Sequence, residues 1–367
     1  MTLANPQISA FDRAMIRRCL VLARRALGRT SPNPMVGAVV VRDGKVVGEG
    51  FHPAAGQPHA EVFALKDAGE RAKGATLYVN LEPCNHYGRT PPCSEATIAA
   101  GIAKVVIGMR DPHREASGGI AKLQAAGITV VAGVEEAACR DLNEAFIHSI
   151  TRDRPFGILK FATTLDGKIA TTTGHSAWVT GEESRRRVHR LRAECDAVVV
   201  GGNTVRQDNP RLTCHDEEGR NPLRVVMSRT LNLPERAYLW QTDAAPTLVL
   251  TETGVRPDLQ AELVELGVEV VEIDRLDPLK ASLHLHRRGL RSLLWECGGT
   301  LAAKAIAAGT VQKIMAFIAP KIIGGQAAPS PVGELGFEKM TEALNLDRVG
   351  WQTVGSDLLM TGYLNIN

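Results

Sequence analysis

The sequence predicts an α/β protein of two domains, and three observations carry that expectation. Short apolar runs alternate with stretches of helical period along the whole chain. A charged, proline-containing break, Thr151-Arg-Asp-Arg-Pro155, interrupts the alternation near the middle. The chain has 367 residues, more than twice the ~150 of an average domain. The expected domains are therefore 1–150 and 155–367, each long enough to bury its own core.

In the first domain Phe11, Met15, Cys19, Leu22 and Ala26 recur at the spacing of one helix face, and Arg13, Arg17, Arg18, Arg24 and Arg25 fall on the rest of that surface. No apolar core of ~7–15 residues accompanies these arginines, so the segment reads as a solvated helix and not a secretory signal. Val36–Val41 and Lys45–Gly50 flank Asp43-Gly44, a strand–turn–strand pattern. A helix is expected from about Ala60 to Ala72, then a strand at Ala75–Leu81. Helix–strand pairs follow at Ser94–Gly101 with Val105–Met109 and at Gly119–Ala126 with Ile128–Val131. One long helix, Glu135–Ile150, closes the half. In the second domain strands are expected at Gly157–Ala162, Ala197–Val200, Leu223–Met227, Thr247–Leu250, Val268–Ile273, Leu293–Trp295 and Ile314–Ala319. Helices are expected at Gly181–Glu194, Asp277–Arg288 and Leu301–Ala308. Such alternation describes a sheet covered by helices.

Composition excludes several classes of function. Apolar residues make up 44% and charged residues 23%, the balance of a globular chain and not a disordered one. The formal charge of +3 is too small and too evenly spread to argue for nucleic acid or an anionic membrane. Apolar stretches stop at about six residues, short of the ~20 that span a bilayer. At 4% aromatic residues, stacking platforms for single strands are not favoured. Seven scattered cysteines, an odd number, point to a reducing compartment and to thiol or metal chemistry.

The sharpest motif is Pro58-His59-Ala60-Glu61, followed by Glu82-Pro83-Cys84 and then Cys93. One imidazole and two thiolates suit Zn²⁺, and three protein ligands leave a fourth position for water, the mark of a catalytic site. Residues two apart do not share a helix face. His59 and Glu61 can point together only if His59 sits at the helix start, which Pro58 favours. Two thiolates neutralise the charge of the metal, so a carboxylate is needed to move protons, and Glu61 is placed for it. The pattern is that of zinc deaminases, with Cys84 and Cys93 further apart than in the short C-x-x-C form.

Together with Thr30-Ser-Pro-Asn-Pro-Met-Val-Gly37 and Leu81-Glu-Pro-Cys-Asn-His-Tyr-Gly-Arg-Thr-Pro-Pro-Cys93, these residues resemble the bifunctional deaminase/reductase family of riboflavin biosynthesis, in which the longer cysteine gap is usual. The resemblance continues through Leu159-Lys160, Thr164-Leu-Asp-Gly-Lys168, Ser176-Ala-Trp178, Leu191-Arg-Ala193 and Glu296-Cys-Gly-Gly299, and so spans nearly the whole chain. It implies a cytidine-deaminase-like three-layer N-terminal domain and a dihydrofolate-reductase-like α/β C-terminal domain. It implies hydrolytic deamination of a phosphorylated diaminopyrimidine at a Zn²⁺ held by His59, Cys84 and Cys93, with Glu61 as proton carrier. Asn33 and His52 would then meet base and sugar, while His86 and Arg89 would hold the phosphate.

In the second half no G-x-G-x-x-G is present, so a Rossmann dinucleotide site has no support. Glu296-Cys-Gly-Gly-Thr300 between strand and helix, and Gly201-Gly202-Asn203-Thr204 after another strand, are turns that could cradle a pyrophosphate. The resemblance makes this an NADPH site lined by Ala162, Trp178, Thr204, Asp208, Ser228 and the run Gly298, Gly299, Thr300, Leu301, Ala302, Ala303 and Lys304. Ser176, Arg192, Leu212 and Glu296 would line the substrate, with Lys160 beside the reacting sugar. Two positions depart from the pattern. Cys214-His215 stands where a phosphate-binding arginine is expected, so His215 becomes the expected contact, and Ser228 stands where an acidic residue is expected. The resemblance also implies a cytoplasmic homo-oligomer, a dimer or a tetramer, with no nucleic-acid or membrane partner. The alternatives are a zinc deaminase with a non-catalytic C-terminal binding or assembly domain, a tRNA-type base deaminase, and a structural zinc protein.

Overall fold

The computed structural model describes residues 8–87, 91–215 and 219–365. The chain forms two compact units, Met1–Arg152 and Asp153–Asn367.

The first unit begins with α1 (Ala10–Arg24), started by a capping box in which Ser9 and Asp12 bond each other's backbone. The hairpin of β1 (Gly37–Arg42) and β2 (Lys45–Phe51) leads to α2 (Ala60–Ala68), which a 3₁₀ turn extends to Ala72. Then come β3 (Thr76–Leu81), α3 (Cys93–Ala99), β4 (Lys104–Met109), α4 (Gly119–Ala125), β5 (Thr129–Ala132), α5 (Glu136–Leu142) and α6 (Glu144–Arg152). The sheet order is β2-β1-β3-β4-β5, with β3, β4 and β5 parallel and the first three strands antiparallel.

Glycines set the layers of this unit. A Cβ on Gly37 would meet the Cys19 carbonyl oxygen of α1 at 2.1 Å, and one on Gly48 or Gly50 would meet the α2 backbone at 2.4 or 2.5 Å. Gly37 pairs with Phe51 and Ala38 with Gly50. Adjacent strand residues face opposite ways, so α1 and α2 cover opposite faces of the sheet. The result is three layers, and the start of α2 is pressed against β2.

Two expectations change here. The helix foreseen over Glu135–Ile150 is two helices broken at Asn143. The oxygen of that buried side chain accepts from the Met35 N–H (2.8 Å), and its NH₂ donates to the Met35 carbonyl (3.0 Å). Side-chain bonds of this kind compete with a continuous helix. The buried face of α1 is also broader than expected: Cys19 and Leu22, with Ala26 just after the helix, are buried as foreseen, but Phe11 is 42% exposed, and Asp12, Ile16, Leu20 and Ala23 are buried as well. Asp12 goes inward because the Tyr78 hydroxyl donates to it (3.0 Å) and Lys104 lies 3.5 Å away.

The second unit runs β6 (Phe156–Thr164), α7 (Glu182–Glu194), β7 (Ala197–Gly201), α8 (Gly202–Asp208), β8 (Leu223–Met227), β9 (Thr247–Thr251), α9 (Pro257–Glu265) and β10 (Glu269–Glu272). It continues α10 (Pro278–Arg287), β11 (Ser292–Trp295), α11 (Gly299–Ala307), β12 (Lys313–Ala319), β13 (Leu346–Val354) and β14 (Asp357–Leu364). The order is β10-β9-β8-β7-β11-β6-β12-β14-β13. Strands from β10 to β12 are all parallel, and only the terminal hairpin is antiparallel. Ala197–Val200 and Leu248–Leu250 are wholly buried, as parallel strands covered on both faces must be.

The hairpin β13–β14 and the helices α8 and α9 are elements the sequence reading did not foresee. β13 is an edge strand with mostly exposed side chains and so carries no burial period. The decisive feature is the order itself. After β6 and β7 the chain builds β8, β9 and β10 outward, then returns to insert β11 between β7 and β6. In parallel sheets ligands bind at the carboxyl ends of strands beside such reversals.

Candidate active sites

In the first unit His59 is the N-cap of α2, with extended backbone (φ −76°, ψ 165°), and Glu61 lies in the first turn. This break from helical geometry turns both side chains to one place. Cys84 follows β3, and Cys93 opens α3. The loop between β3 and Cys84 is held by buried Glu82, whose carboxylate accepts from the Gly118 (3.1 Å), Ile120 (3.0 Å) and Asp111 (3.3 Å) amides. The Cys93 amide donates to Cys84 Sγ at 3.3 Å.

His59 Nδ1 lies 3.2 Å from Cys93 Sγ and 3.5 Å from Cys84 Sγ, and all three donors fall within 4.8 Å of one another. Tetrahedral ligands ~2.0–2.3 Å from a zinc ion stand ~3.3–3.8 Å apart, so this donor set fits Zn²⁺. Hydrogen bonding from the Cys93 thiol, and then from His59, pulls Cys84 down to about 4. The same bond, aided by burial, pushes Cys93 up. Glu61 is 3% exposed, and its Oε2 has no hydrogen-bond partner among the described residues. Burial pushes this carboxyl up to about 7 against the pull of the His59 charge.

Beside the donors, the His52 and His59 rings meet edge to face with centroids 5.4 Å apart. His52 Nδ1 lies 3.0 Å from the Pro58 carbonyl and Nε2 lies 3.1 Å from Asn33 Nδ2. With Nδ1–H donating to that carbonyl, Nε2 accepts from Asn33. Burial lowers the His52 pKa and favours this neutral ring. His86 is exposed, and Arg89 lies outside the described residues.

In the second unit a cleft of about 1370 Å³ lies at the carboxyl ends of the parallel strands. Lys160 of β6, Arg192 of α7 and Glu296 after β11 meet in it. Arg192 Nε and Nη2 donate to Glu296 Oε1 (2.6 Å) and Oε2 (3.1 Å), and Lys160 Nζ lies 3.3 Å from Oε2. Arg192 Nη1 also donates to the Thr213 carbonyl (3.0 Å). Burial would raise Glu296, but the Arg192 and Lys160 charges outweigh it and hold the carboxyl at about 2.

Ala162, Ser176, Thr204, Asp208, Leu212, Gly298, Gly299, Thr300, Leu301 and Lys304 also line this cleft. Ser176 Oγ donates to Asp208 (2.8 Å) and ties its loop to α8. A Cβ on Gly299 would meet the Ser330 carbonyl oxygen at 2.6 Å, so only glycine opens α11 there. Five expected residues are not in the lining. Ala302 and Ala303 face the core, and Ser228 is buried beneath Gly202. Trp178 is 69% exposed under the Arg185 guanidinium, 4.4 Å from its ring centroid. His215 is exposed and stacks on His189 at 4.2 Å. The sequence reading missed other lining residues, among them Phe161, Thr172, Gln207 and Arg229. For Arg229 a signal existed: it follows a buried parallel strand, where ligands bind.

Residues 9–109 match the cytidine and deoxycytidylate deaminase zinc-binding region, and residues 155–360 match the RibD C-terminal domain. The chain is 59% identical over 354 residues to riboflavin biosynthesis protein RibD of Synechocystis sp., covering 96% of each. It is 43% identical to the protein of that name in Aquifex aeolicus, over 96% of this chain and 98% of that one. Its structure is similar to that of a diaminohydroxyphosphoribosylaminopyrimidine deaminase/5-amino-6-(5-phosphoribosylamino)uracil reductase from Thermotoga maritima. That match has a TM-score of 0.87 at 36% identity and covers 96% of this chain and 99% of the other. With a zinc-binding deaminase region and a reductase region in one polypeptide, the chain belongs to the bifunctional deaminase/reductase family of riboflavin biosynthesis.

Proposed function

We propose that the N-terminal unit (notionally residues 1–150) hydrolyses the 2-amino group of 2,5-diamino-6-(5-phosphoribosylamino)pyrimidin-4(3H)-one. The C-terminal unit (notionally 155–367) then reduces the ribosyl group to give 5-amino-6-(5-phosphoribitylamino)uracil. The observation that carries the first step is the convergence of His59, Cys84 and Cys93 beside a buried carboxylate with an unpartnered oxygen. Those three residues would hold a Zn²⁺, which would supply Lewis-acid activation of a water. Glu61 would carry one proton of the attacking water to the ring nitrogen and its second proton to the leaving amine, which departs as ammonia. Asn33, its NH₂ engaged by His52, presents its carbonyl oxygen to the base. His86 and Arg89 take the phosphate.

In the second step NADPH supplies the hydride. Arg192 and Glu296 fix the substrate through their paired charges, and Lys160 holds a proton donor beside the reacting sugar. Ala162, Thr204, Asp208 and the start of α11 support the cofactor, where backbone N–H groups favour a pyrophosphate. The chain works in the cytoplasm as a homo-oligomer. Seven unpaired cysteines support the first statement, and the exposed Val349 and Trp351 on edge strand β13 support the second.

The test is a coupled assay on one purified chain, ammonia release followed by NADPH oxidation. Ammonia release without NADPH oxidation would leave the C-terminal unit as a binding or assembly domain.

A further inference from the structure

Three successive residues at the start of α3 each hold a residue of the loop between the two thiol donors. The Cys93 amide donates to Cys84 Sγ (3.3 Å), and the Ser94 amide donates to the Cys84 carbonyl (3.2 Å). The Ser94 hydroxyl donates to Asn85 Oδ1 (3.1 Å), and the Tyr87 hydroxyl donates to Glu95 Oε2 (2.6 Å). Lys122 Nζ of α4 donates to the other oxygen, Glu95 Oε1, at 2.6 Å. Cys93 and Ser94 are wholly buried, so the helix start is a fixed frame for these ties. His86 stands between Asn85 and Tyr87 and is exposed.

The outermost of these ties does little for the stability of the fold. Tyr87 is 74% exposed, so its ring buries little apolar surface and its hydroxyl is what fastens it. The partly exposed Lys122–Glu95 pair also contributes little. A hydroxyl bound to an ionised carboxylate at 2.6 Å is nonetheless a strong, directional contact. It anchors the chain on one side of His86, as the Ser94–Asn85 bond anchors it on the other. With both neighbours anchored, the imidazole loses less freedom when it meets a ligand. Resting on the reading that His86 takes the substrate phosphate, we infer that Tyr87 and Glu95 are positioning residues of the deaminase. They fix the bearing of His86 and so strengthen selection of the 5′-phosphorylated pyrimidine over its dephosphorylated form.

The test is steady-state deamination of the phosphorylated substrate and of its dephosphorylated form, with zinc content measured alongside. It compares the full chain with its Tyr87→Phe, Glu95→Ala, Glu95→Gln and His86→Ala variants. Tyr87→Phe and Glu95→Ala should each raise the Michaelis constant of the phosphorylated substrate about 5- to 20-fold, with kcat changed less than about twofold. The constant for the dephosphorylated form should move by less than about twofold, and zinc should stay stoichiometric. Glu95→Gln keeps an acceptor for the Tyr87 hydroxyl and should fall between. Added to His86→Ala, Tyr87→Phe should change nothing further, because the tyrosine acts through the histidine. Equal effects on the two substrates, or loss of zinc in either variant, would show a contact that only supports the fold and would overturn the inference. A phosphate preference lost in His86→Ala but kept in Tyr87→Phe and Glu95→Ala overturns the inference and leaves the reading of His86 intact. A preference that survives His86→Ala, or that the unsubstituted chain lacks, overturns both.

Discussion

Glu61 in the first unit and Glu296 in the second are both carboxylates withdrawn from solvent: Glu61 is 3% exposed, and the side chain of Glu296 is 7% exposed. Glu61 has an oxygen with no partner and is pushed up to about 7, whereas Glu296 has both oxygens engaged by Arg192 and Lys160 and is held at about 2. Burial acts in the same direction on each, so the partners decide the outcome. A buried carboxyl with one oxygen left unpartnered can give and take protons near neutral pH. A fully paired one stays charged, and its loss strands two cations.

The comparison can be broken most severely at the zinc donors. Cys84→Ser and Cys93→Ser should each lose stoichiometric zinc and with it deamination, because each removes one of three ligands. Metal analysis and ammonia release check this, and a variant that keeps both would refute the ligand set. Glu61→Gln should keep the metal yet slow ammonia release by ~10²–10⁴-fold. Reduction of supplied deaminated substrate should persist in that variant, since Glu296 lies in the other unit.

Next in size, Glu296→Ala should destabilise the second unit by ~3–5 kcal/mol, because Arg192 and Lys160 are left buried without their anion. Lys160→Ala should cost far less stability, since the two-bond Arg192 contact remains, while it abolishes most reductase turnover. Equal destabilisation by the two variants in thermal unfolding would mean that Lys160, not Arg192, holds the carboxylate.

A smaller effect is expected from pH. The folded pKa of Glu296 lies below that of an unfolded glutamate, so its stabilisation is complete above about pH 5 and is lost as pH falls through about 2. Glu296→Gln should flatten that part of the acid-unfolding profile, and an unchanged profile would show that other carboxylates control it. The smallest effect belongs to His215, which is exposed on the loop that follows Leu212. If it contacts the substrate phosphate, His215→Arg should lower the Michaelis constant of the reductase a few-fold, more at pH ~8 than at pH ~6. Identical constants for His, Arg and Ala at this position would remove it from the site.

Legibility differed between the regions for physical reasons. His59, Cys84 and Cys93 could be named because metal-donor side chains are few and their spacing is itself informative, and these donors do converge. The inward turn of His59 could be argued from Pro58, since a residue before a regular helix escapes its 3.6-residue period. Glu82 was named only as part of the cysteine motif; its role was missed because nothing local marks a carboxylate that accepts from the amides of residues 111, 118 and 120. Arg229 was overlooked because its one signal, a place just past a buried parallel strand, is shared by every residue at such a strand end. Ala302 and Ala303 were named as cofactor contacts from a motif run, but a helix turns part of any run toward the core.

By itself, the sequence determined the alternation of elements and the apolar identity of the central strands, because parallel strands covered on both faces need consecutive apolar residues. It also determined the chemistry available in each half, through its thiols, imidazoles and paired charges. Only the tertiary structure decided where β11 goes. Its insertion between β7 and β6 brings Glu296 to Arg192, 104 residues away, and to Lys160, 136 residues away. Only the tertiary structure split the helix at Asn143, through bonds to a residue 108 positions earlier. Local periodicity reports which face of an element is buried. It carries no information about which distant element supplies the partner, and charge pairing at a site depends on that choice.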